Sequence, residues 1–196
     1  MSSTNRGGQR AVSDYYKTPV YAIMDFLGNA SKDEPSLFDF TNKLILDPCA
    51  GGATKKNESM SYPEALKKMP TTLTTVIDTI DIREDSPAGI TTDYLTWKTE
   101  PVYDIIITNP PFALALPIIQ KALSDVHDGG LVIMLLRLNF FGSKERFQFW
   151  QTTMPIYTYV HAKRMKFTQA GSDSIEYIHA VWQKGNYPKF TKLRII

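Results

Sequence analysis

The residues best suited to chemistry form the segment Asn109-Pro110-Pro111-Phe112, which directly follows a short apolar run. Two consecutive prolines fix φ and remove two backbone donors, so the nearby carbonyl groups point in fixed directions and no helix forms there. The Asn109 side-chain oxygen and the Pro110 carbonyl can then accept two hydrogen bonds from one planar amino group. Phe112 offers an aromatic face for stacking. The segment predicts a site for an aromatic amine, with an ordinary strand-ending turn as the alternative.

A small, glycine-rich turn follows an earlier apolar run, Lys43–Asp47. Such a turn lets backbone amides approach a ligand closely. It lacks the Gly-Lys-Ser/Thr of a Walker A loop and the three-glycine spacing of a dinucleotide-binding fingerprint. A ligand-binding turn and a tight structural turn both remain open from these residues alone. The residues of this turn are Asp47, Pro48, Cys49, Ala50, Gly51 and Gly52.

Two acids stand where the next predicted strands end. Asp81 lies at the end of the run 75–82, where a carboxylate can accept both hydroxyls of a ribose. Asp93 lies toward the end of a short run at 90–95 and can accept a hydrogen bond from an adenine amino group. A helix cap for Asp81 and a solvated loop position for Asp93 are the alternatives.

Metal chemistry is not expected from this sequence. His127, His161 and His179 show no metal-ligand spacing, so we interpret them as surface or packing residues. Cys49 is the single cysteine, which excludes an intramolecular disulfide framework and a multi-cysteine zinc site.

The elements that position these residues alternate between strands and helices. The apolar strands are nearly continuous, which indicates an α/β protein with a mostly parallel, doubly wound sheet covered on both faces. We expect 157–164 and 177–183, joined by a loop at 165–176, to form an antiparallel hairpin at the C-terminal edge. Such a sheet binds ligands beyond the carboxyl ends of its strands. Further strands are predicted at 43–47, 75–82, 90–95, 104–108 and 131–138, helices at 18–27, 62–68, 112–126 and 142–153, and a turn at 128–130.

The length of 196 residues fits one domain. We expect a flexible N-terminus at 1–13 and a single domain at 14–196. The longest apolar run, Leu131–Leu136, is too short to span a bilayer, and residues 1–18 lack the apolar core of a signal peptide. A cytoplasmic protein that does not enter membranes is therefore expected.

The charges are distributed unevenly. From Arg137 onward there are ten Lys/Arg against three Asp/Glu, whereas the first 136 residues hold twelve Lys/Arg against seventeen Asp/Glu. A basic third favours a polyanionic partner on one face, although charges that only keep the protein soluble are the alternative. The predicted phosphate-binding residues are Arg137, Lys144, Arg146, Lys163, Arg164 and Lys166.

The glycine-rich turn and Asn109-Pro-Pro-Phe112 resemble the cofactor and catalytic motifs of S-adenosylmethionine-dependent amino-methyltransferases. Their order and spacing resemble the DNA adenine-N6 branch. The segment Tyr16-Lys17-Thr18-Pro19 is similar to its upstream cofactor motif. The segments Leu136-Arg-Leu-Asn-Phe140 and 164–177 are similar to the late motifs of small phage-type adenine methyltransferases. The resemblance covers roughly residues 15–185, and Ala53 stands where the family often has a further glycine.

This resemblance implies a Rossmann-like class I methyltransferase fold that binds S-adenosylmethionine. Asp81 would hold the ribose of the cofactor, Asp93 its adenine, and Ile82 would lie beside them in the cofactor site. Asn109 would contact the cofactor and, with Pro110, orient the target amine, while Pro111 and Phe112 complete the catalytic motif. The residues implied to hold the methionine moiety are Tyr16, Lys17, Thr18, Pro19, Asp47, Pro48, Cys49, Ala50 and Gly51.

The implied substrate is the N6 amino group of an adenine flipped out of duplex DNA, a step that costs a few kcal/mol of stacking and pairing. Phe112 and Phe167 would restore part of that energy by stacking. The chain leaves no room for a separate target-recognition domain, so we expect short or relaxed sequence specificity in a monomer or homodimer. The alternatives are an RNA-base or protein-glutamine N-methyltransferase, or an inactive nucleic-acid-binding module of the same fold.

Overall fold

The computed structural model describes residues 17–69, 75–100, 102–167 and 174–196. Short 3-10 turns at Thr54–Lys56, Phe112–Leu114, Leu138–Phe141 and Lys144–Arg146 connect the main elements. The helices are α1 (Val20–Asp33), α2 (Ser61–Leu66), α3 (Ala115–Asp125) and α4 (Phe147–Thr152). The strands are β1 (Leu44–Asp47), β2 (Val76–Asp81), β3 (Ile90–Thr91), β4 (Tyr103–Thr108), β5 (Val126–Arg137), β6 (Tyr157–Val160), β7 (Tyr177–Gln183) and β8 (Lys192–Ile195).

These strands form one sheet in the order β3-β2-β1-β4-β5-β7-β6-β8. All neighbouring pairs are parallel except those of β7, which is antiparallel to both β5 and β6. The predicted α/β sheet and its antiparallel hairpin, β6–β7, are confirmed. The order reverses direction between β1 and β4, which creates the crevice where such sheets bind ligands.

The outermost strand was not predicted. β8 pairs in parallel with β6 and lies beyond the hairpin, so the hairpin itself does not form the edge. All four residues of β8 are exposed. The alternation Lys-Leu-Arg-Ile is too short to distinguish a strand from a loop in the sequence.

Side chains alternate across the sheet and bury both of its faces. Ile45, Ile105 and Ile133 face the helices α1 and α2. Leu46 and Ile106 face α3 and the region of α4. Each buried Leu or Ile contributes ~1.5–3 kcal/mol through removal of apolar surface from water, so the two layers fix the carboxyl ends of β1 and β4 relative to each other.

The first helix corrects one predicted detail. It begins at Val20 and ends at Asp33, with Pro19 in extended conformation before its first turn and no side-chain cap. Thr18, predicted as the first residue of this helix, lies before it, and its hydroxyl contacts Asn109. The longer helix buries Ile23 and Phe26 against the sheet, so tertiary packing extends it beyond the predicted end.

The predicted turn at 128–130 is a bulge inside β5. Tyr103 pairs with Val126 whereas Ile105 pairs with Leu131, so the chain of β5 holds three extra residues at this point. Gly129 has a φ of +82°, and a Cβ on Gly130 would lie 2.9 Å from the carbonyl of His127. The strand pairs with β4 on both sides of the glycines, so Gly129 and Gly130 lie in a bulge within β5 and not in a turn between two strands.

Three other predicted elements are shorter than expected, and one of them, the strand predicted at 157–164, ends at Val160. The strand predicted at 90–95 is limited to Ile90–Thr91, after which the Asp93 carbonyl accepts the backbone N–H groups of Thr96 and Trp97 in a turn. The helix predicted at 142–153 forms only over Phe147–Thr152, preceded by a 3-10 turn.

None of the helices within the described part of the chain combines the length and the apolar character needed to cross a bilayer. In the same residues, no group of three or more His, Cys, Asp or Glu side chains is arranged to hold a metal ion.

Candidate functional site

The predicted site residues converge at the carboxyl edge of the sheet. Asp47 ends β1, Asp81 ends β2, and Asn109 follows β4 directly. Because β1, β2 and β4 are parallel neighbours, their carboxyl ends meet at one edge. Arg137, the last residue of β5, lies at that edge as well.

The glycine-rich turn has a conformation that its glycines require. Gly51 and Gly52 have φ values of +69° and +76°, a region that L side chains rarely adopt. A Cβ on Gly52 would lie 2.8 Å from the Pro87 ring. The Ala50 N–H donates to the Ile80 carbonyl at 2.9 Å, which ties the turn to β2. Glycine at position 52 thus permits both this backbone conformation and the close contact with Pro87.

Sequence reasoning missed a residue that holds this turn in place. Arg83 donates from Nε to the Asp81 carboxylate at 3.2 Å and from Nη2 to the Gly52 carbonyl at 2.6 Å. Ser86 adds a hydrogen bond of 2.5 Å from its hydroxyl to the Gly51 carbonyl. In the sequence, Arg83 stands among the acids at 81–85. This pattern indicates an ion pair with a neighbouring acid, but it does not indicate the bond to the Gly52 carbonyl.

The Asp81 carboxylate already accepts more hydrogen bonds within the protein than the predicted contact with two ribose hydroxyls allows. Its Oδ2 accepts the Gly51 N–H at 2.8 Å, and its Oδ1 accepts both the backbone N–H and the Nε of Arg83. A carboxylate has roughly four acceptor positions, so these three bonds leave about one. The arrangement has room for one further hydrogen bond to Asp81, where the sequence analysis expected two.

Asp47 is a buried carboxyl with an incomplete set of partners. Its Oδ1 accepts the Thr108 hydroxyl at 2.6 Å and the Cys49 N–H at 3.3 Å. Its Oδ2 is buried and has no hydrogen-bond partner among the residues that the structure describes. Burial, opposed by the Thr108 and Cys49 hydrogen bonds, raises the pKa of Asp47 to about 7. A cationic or hydrogen-donating ligand group would complete this site.

Asn109 is held by the segment that precedes α1. Its Nδ2 donates to the Thr18 hydroxyl at 2.9 Å, and Thr18 is almost fully buried. The neighbouring Lys17 donates to the Ser59 hydroxyl at 3.4 Å. The structure therefore brings Lys17, Thr18 and Asn109 to the same edge as the glycine-rich turn.

The two remaining predicted cofactor contacts differ in exposure. Ile82 is 63% exposed, which is unusual for a large apolar residue directly after a buried strand. An exposed aliphatic side chain there suits the face of an aromatic ring. Asp93 is half-buried and accepts the Leu95 N–H at 2.9 Å through Oδ1, so it shapes its own turn.

Aromatic residues line the edge beside Asn109. The Arg137 guanidinium lies over the Phe112 ring at 4.3 Å, and the Phe112 and Tyr177 ring centroids are 5.9 Å apart. Phe167 packs edge-on against Tyr177 at 4.9 Å. This contact fits a residue that packs under its own loop. The stacking of Phe167 on a base stays a prediction.

The predicted phosphate-binding cations have different surroundings. Lys144 and Lys166 are exposed, and the exposed Lys163 lies over the Tyr21 ring at 4.7 Å. Arg146 donates from Nε to the Phe140 carbonyl at 2.7 Å, which gives it a structural contact. Exposed Arg164 lies 3.9 Å from Glu176, a separation at which a surface ion pair contributes little.

Some predictions fall where the structure describes nothing. Tyr16, the flexible segment 1–13 and positions 168–173 of the predicted loop lie outside the described residues.

The histidines predicted as surface or packing residues divide between the two roles. His127 is exposed and contacts Asp104 at 3.1 Å. His179 is buried, stacks on Phe26 at 4.3 Å, and its Nε2 lies 3.0 Å from the Tyr62 hydroxyl. Its Nδ1 lies 2.7 Å from Nε2 of His161. Burial lowers the pKa of His161 to about 4 and that of His179 well below its ordinary value.

We expect this buried pair to make the protein acid-sensitive. His161 and His179 stay neutral in the folded state but take up protons in the unfolded state below about pH 6.5, so stability falls as pH drops from about 6.5 to 4. Asp47, protonated below its folded pKa of about 7, acts in the opposite direction. Asp47→Asn should therefore show about one proton more of linkage in this range than the wild type. Urea unfolding from pH 4.5 to 6.5 measures both slopes, and equal slopes would contradict the assignment.

Comparison with known proteins supports the fold. No protein-family profile and no curated protein sequence matches the chain. A candidate class I S-adenosylmethionine-dependent methyltransferase from Listeria monocytogenes superposes with a TM-score of 0.61 at 12% identity, covering 95% of this chain and 68% of that one. A candidate RNA methyltransferase from Pyrococcus horikoshii gives 0.58 at 15% identity, covering 87% and 88%.

A third similar structure is the modification subunit of a candidate type I restriction enzyme from Vibrio vulnificus. It gives a TM-score of 0.56 at 12% identity, covering 95% of this chain but only 48% of that one. At these identities the comparison establishes the fold. The chain has the α/β fold of class I methyltransferases, as the sequence resemblance implied.

Proposed function

We propose that this protein transfers a methyl group from S-adenosylmethionine to the N6 amino group of adenine in DNA. The observation that carries the proposal is the position of Asn109-Pro110-Pro111-Phe112. The motif follows β4 at the point where the strand order reverses, beside the glycine-rich turn after β1. A similar structure that belongs to a restriction-modification subunit supports the DNA substrate.

The residues present fit the proposed cofactor. The glycine-rich turn, in which Gly51 and Gly52 have positive φ, lies at the crevice, and the buried Asp47 Oδ2 has no partner among the described residues and can accept a hydrogen bond. Ile82 offers an exposed apolar face for an adenine ring, and Asp81 retains about one acceptor position for a ribose hydroxyl. S-adenosylmethionine supplies an electrophilic methyl group on a sulfonium.

The chain's own residues would act on the amine. An adenine amino group is a poor nucleophile because its lone pair is delocalised into the ring. The Asn109 oxygen and the Pro110 carbonyl, as acceptors from its two N–H bonds, would favour a pyramidal nitrogen whose lone pair can attack. The two prolines hold these acceptors in place, so alignment rather than acid–base chemistry would supply most of the rate.

The substrate-binding part of the proposal concerns the edge near β5 and β7. Phe112 is half-buried and follows the Asn109-Pro-Pro segment, so its ring is where a flipped adenine would stack, with the buried Tyr177 packed against it. The exposed cations of this edge, Lys144, Lys163 and Lys166, would contact phosphates and make binding strongly dependent on salt.

We also propose a short or relaxed target sequence. Reading bases requires side chains that reach into a groove. In the described part of the chain, the strands form one sheet and the helices are short, so few side chains remain for reading bases. Methylation of a random-sequence duplex library, followed by mapping of the modified adenines, tests this point. A requirement for one long site would contradict it.

The decisive experiment offers labelled S-adenosylmethionine with duplex DNA, single-stranded DNA, RNA or protein and identifies the methylated nucleoside or residue. N6-methyladenine in DNA is the expected product. Label found only in RNA would favour the activity named for the Pyrococcus horikoshii structure. Label in protein, or no transfer to any substrate, would overturn the proposal, and the absence of cofactor binding would favour an inactive binding module.

Arg83 should matter for cofactor binding although it lies behind the turn. Arg83→Met removes the guanidinium bonds to Asp81 and to the Gly52 carbonyl, so the turn is held less firmly. We expect the dissociation constant of S-adenosylmethionine to rise about tenfold, with little change in turnover at saturation. Isothermal titration calorimetry measures the constant, and steady-state kinetics the turnover.

The matched control for Arg83 is Lys32→Met. It removes an exposed cation from the last turn of α1, whereas the candidate site lies at the first turn of that helix. It should leave the dissociation constant unchanged. An equal effect in the two variants would mean that net charge, and not the turn contacts of Arg83, controls binding.

A further inference from the structure

The Thr18 hydroxyl contacts the residue that the proposed chemistry depends on most. Asn109 Nδ2 lies 2.9 Å from Thr18 Oγ1, in a contact that joins the start of α1 to the end of β4. The resemblance assigned Thr18 to the methionine moiety of the cofactor. The contact in the structure gives this side chain a different partner.

Both sides of this contact are held rigidly. Thr18 is 3% exposed and lies two residues before α1, which is anchored by the buried Ile23 and Phe26. On the other side, the Thr108 hydroxyl donates to the Asp47 carboxylate at 2.6 Å, which ties the residue before Asn109 to β1. The acceptor and the carboxamide are therefore fixed by two separate layers of the fold.

A carboxamide has one accepting end and one donating end, and only the accepting end suits an N–H bond of the target amine. In the structure Nδ2 is the end that donates to Thr18, so Oδ1 lies at the opposite end of the carboxamide. Without that partner, the terminal torsion of asparagine has two broad states. A rotated carboxamide would meet the amine with its own N–H groups.

We infer that Thr18 is a positioning residue that fixes the orientation of the Asn109 carboxamide for the incoming amine. The inference rests on the proposed function for its catalytic meaning, but the hydrogen bond itself is measurable without any substrate. Thr18 acts through Asn109 and does not need to touch the reacting atoms.

The test replaces Thr18 with valine, which keeps the shape and removes the acceptor, and with serine, which keeps the hydroxyl. We expect Thr18→Val to lower kcat about ten- to hundredfold, the range for loss of one hydrogen bond at a positioned group. The dissociation constant of S-adenosylmethionine should stay within about twofold of the wild type, a margin well below the tenfold that one such bond can contribute. Thr18→Ser should restore most of the turnover.

A double-variant cycle separates orientation from general loss of structure. Aspartate at position 109 has two equivalent oxygens and no preferred end, so Thr18→Val should cost clearly less in an Asn109→Asp background than in the wild type. Thr158→Val is the matched control, because Thr158 is equally buried and bonds only to Thr191 among the described residues, in the β6–β8 region. It should lower stability without lowering kcat.

A measurement without turnover keeps the inference independent of the substrate. In protein labelled with ¹⁵N-asparagine, the Asn109 side-chain NH₂ signal is assigned by its loss in Asn109→Asp. It should shift and exchange faster with solvent in Thr18→Val but not in Thr18→Ser. An unchanged signal overturns the inference whatever the activity. A raised dissociation constant with normal kcat overturns it too and returns Thr18 to the cofactor site, whereas inactivity of the wild type counts only against the proposed function.

Discussion

Replacement of Asn109 by alanine should lower the methyl-transfer rate about 10²–10³-fold while the fold and cofactor binding stay nearly intact. The carboxamide would accept an N–H bond that strengthens as the nitrogen becomes pyramidal, so its loss removes an interaction made mainly in the transition state. Single-turnover rates at saturating S-adenosylmethionine measure this step directly, separate from product release.

Asn186→Ala is the matched control for this prediction. Asn186 is exposed, lies in the turn between β7 and β8, and its side chain bonds to Gln183. It should keep the full rate. If Asn109→Ala also transferred methyl groups at the wild-type rate, the proposed site would be wrong, whereas a large rise in the cofactor dissociation constant would place Asn109 mainly in the cofactor site.

The sheet was predictable because its strands are short, apolar and punctuated by glycine, proline or acid. A polar residue ends β1 and β2 and directly follows β4, and the end of each apolar run in the sequence indicates its position. Since parallel strands share an edge, the sequence also predicted that Asp47, Asp81 and Asn109 would lie together. This part of the site depends on periodicity and strand ends, which are local properties.

The contacts among the site residues were not predictable in the same way. Arg83 reaches the Gly52 carbonyl, and Thr18 reaches Asn109, across sequence separations of 31 and 91 residues. Such pairs depend on which elements become neighbours in the fold and on how far each side chain extends. Neither quantity has a periodic signal, so the sequence analysis missed Arg83 and gave no indication that Thr18 contacts Asn109.

The strand irregularities had a local signal with two interpretations. Asp128-Gly129-Gly130 has the composition of a turn. Because β4 pairs with the strand on both sides of these residues, at Val126 and from Leu131 onward, they form a bulge of β5. Only the long-range partners distinguish the two outcomes, because the backbone preferences of glycine are the same in each.

Asp47 should make cofactor binding depend on pH. Its buried carboxyl, with a pKa of about 7, is mostly neutral at pH 6 and mostly ionised at pH 8. If the carboxylate form alone binds the cationic cofactor, the affinity for S-adenosylmethionine should rise about tenfold from pH 6 to pH 8, and binding near pH 6 should release about one proton. Calorimetry in buffers of different ionisation enthalpy measures both quantities.

The same experiment isolates the charge of the ligand and of the residue. S-adenosylhomocysteine lacks the sulfonium charge but shares the amino group. The ratio of the affinity for S-adenosylmethionine to that for S-adenosylhomocysteine should therefore change when the charge of Asp47 changes. Asp47→Asn keeps the size of the side chain and the acceptor for Thr108, yet it has no charge at any pH. We expect it to weaken S-adenosylmethionine binding about ten- to hundredfold at pH 8, less at pH 6, and to abolish the proton release. Wild-type affinities that stay flat across this range would show that Asp47 shapes the turn through Thr108 and Cys49 and does not meet a cationic group, whereas an equal loss for both ligands would place Asp47 at the amino group that they share and not at the sulfonium.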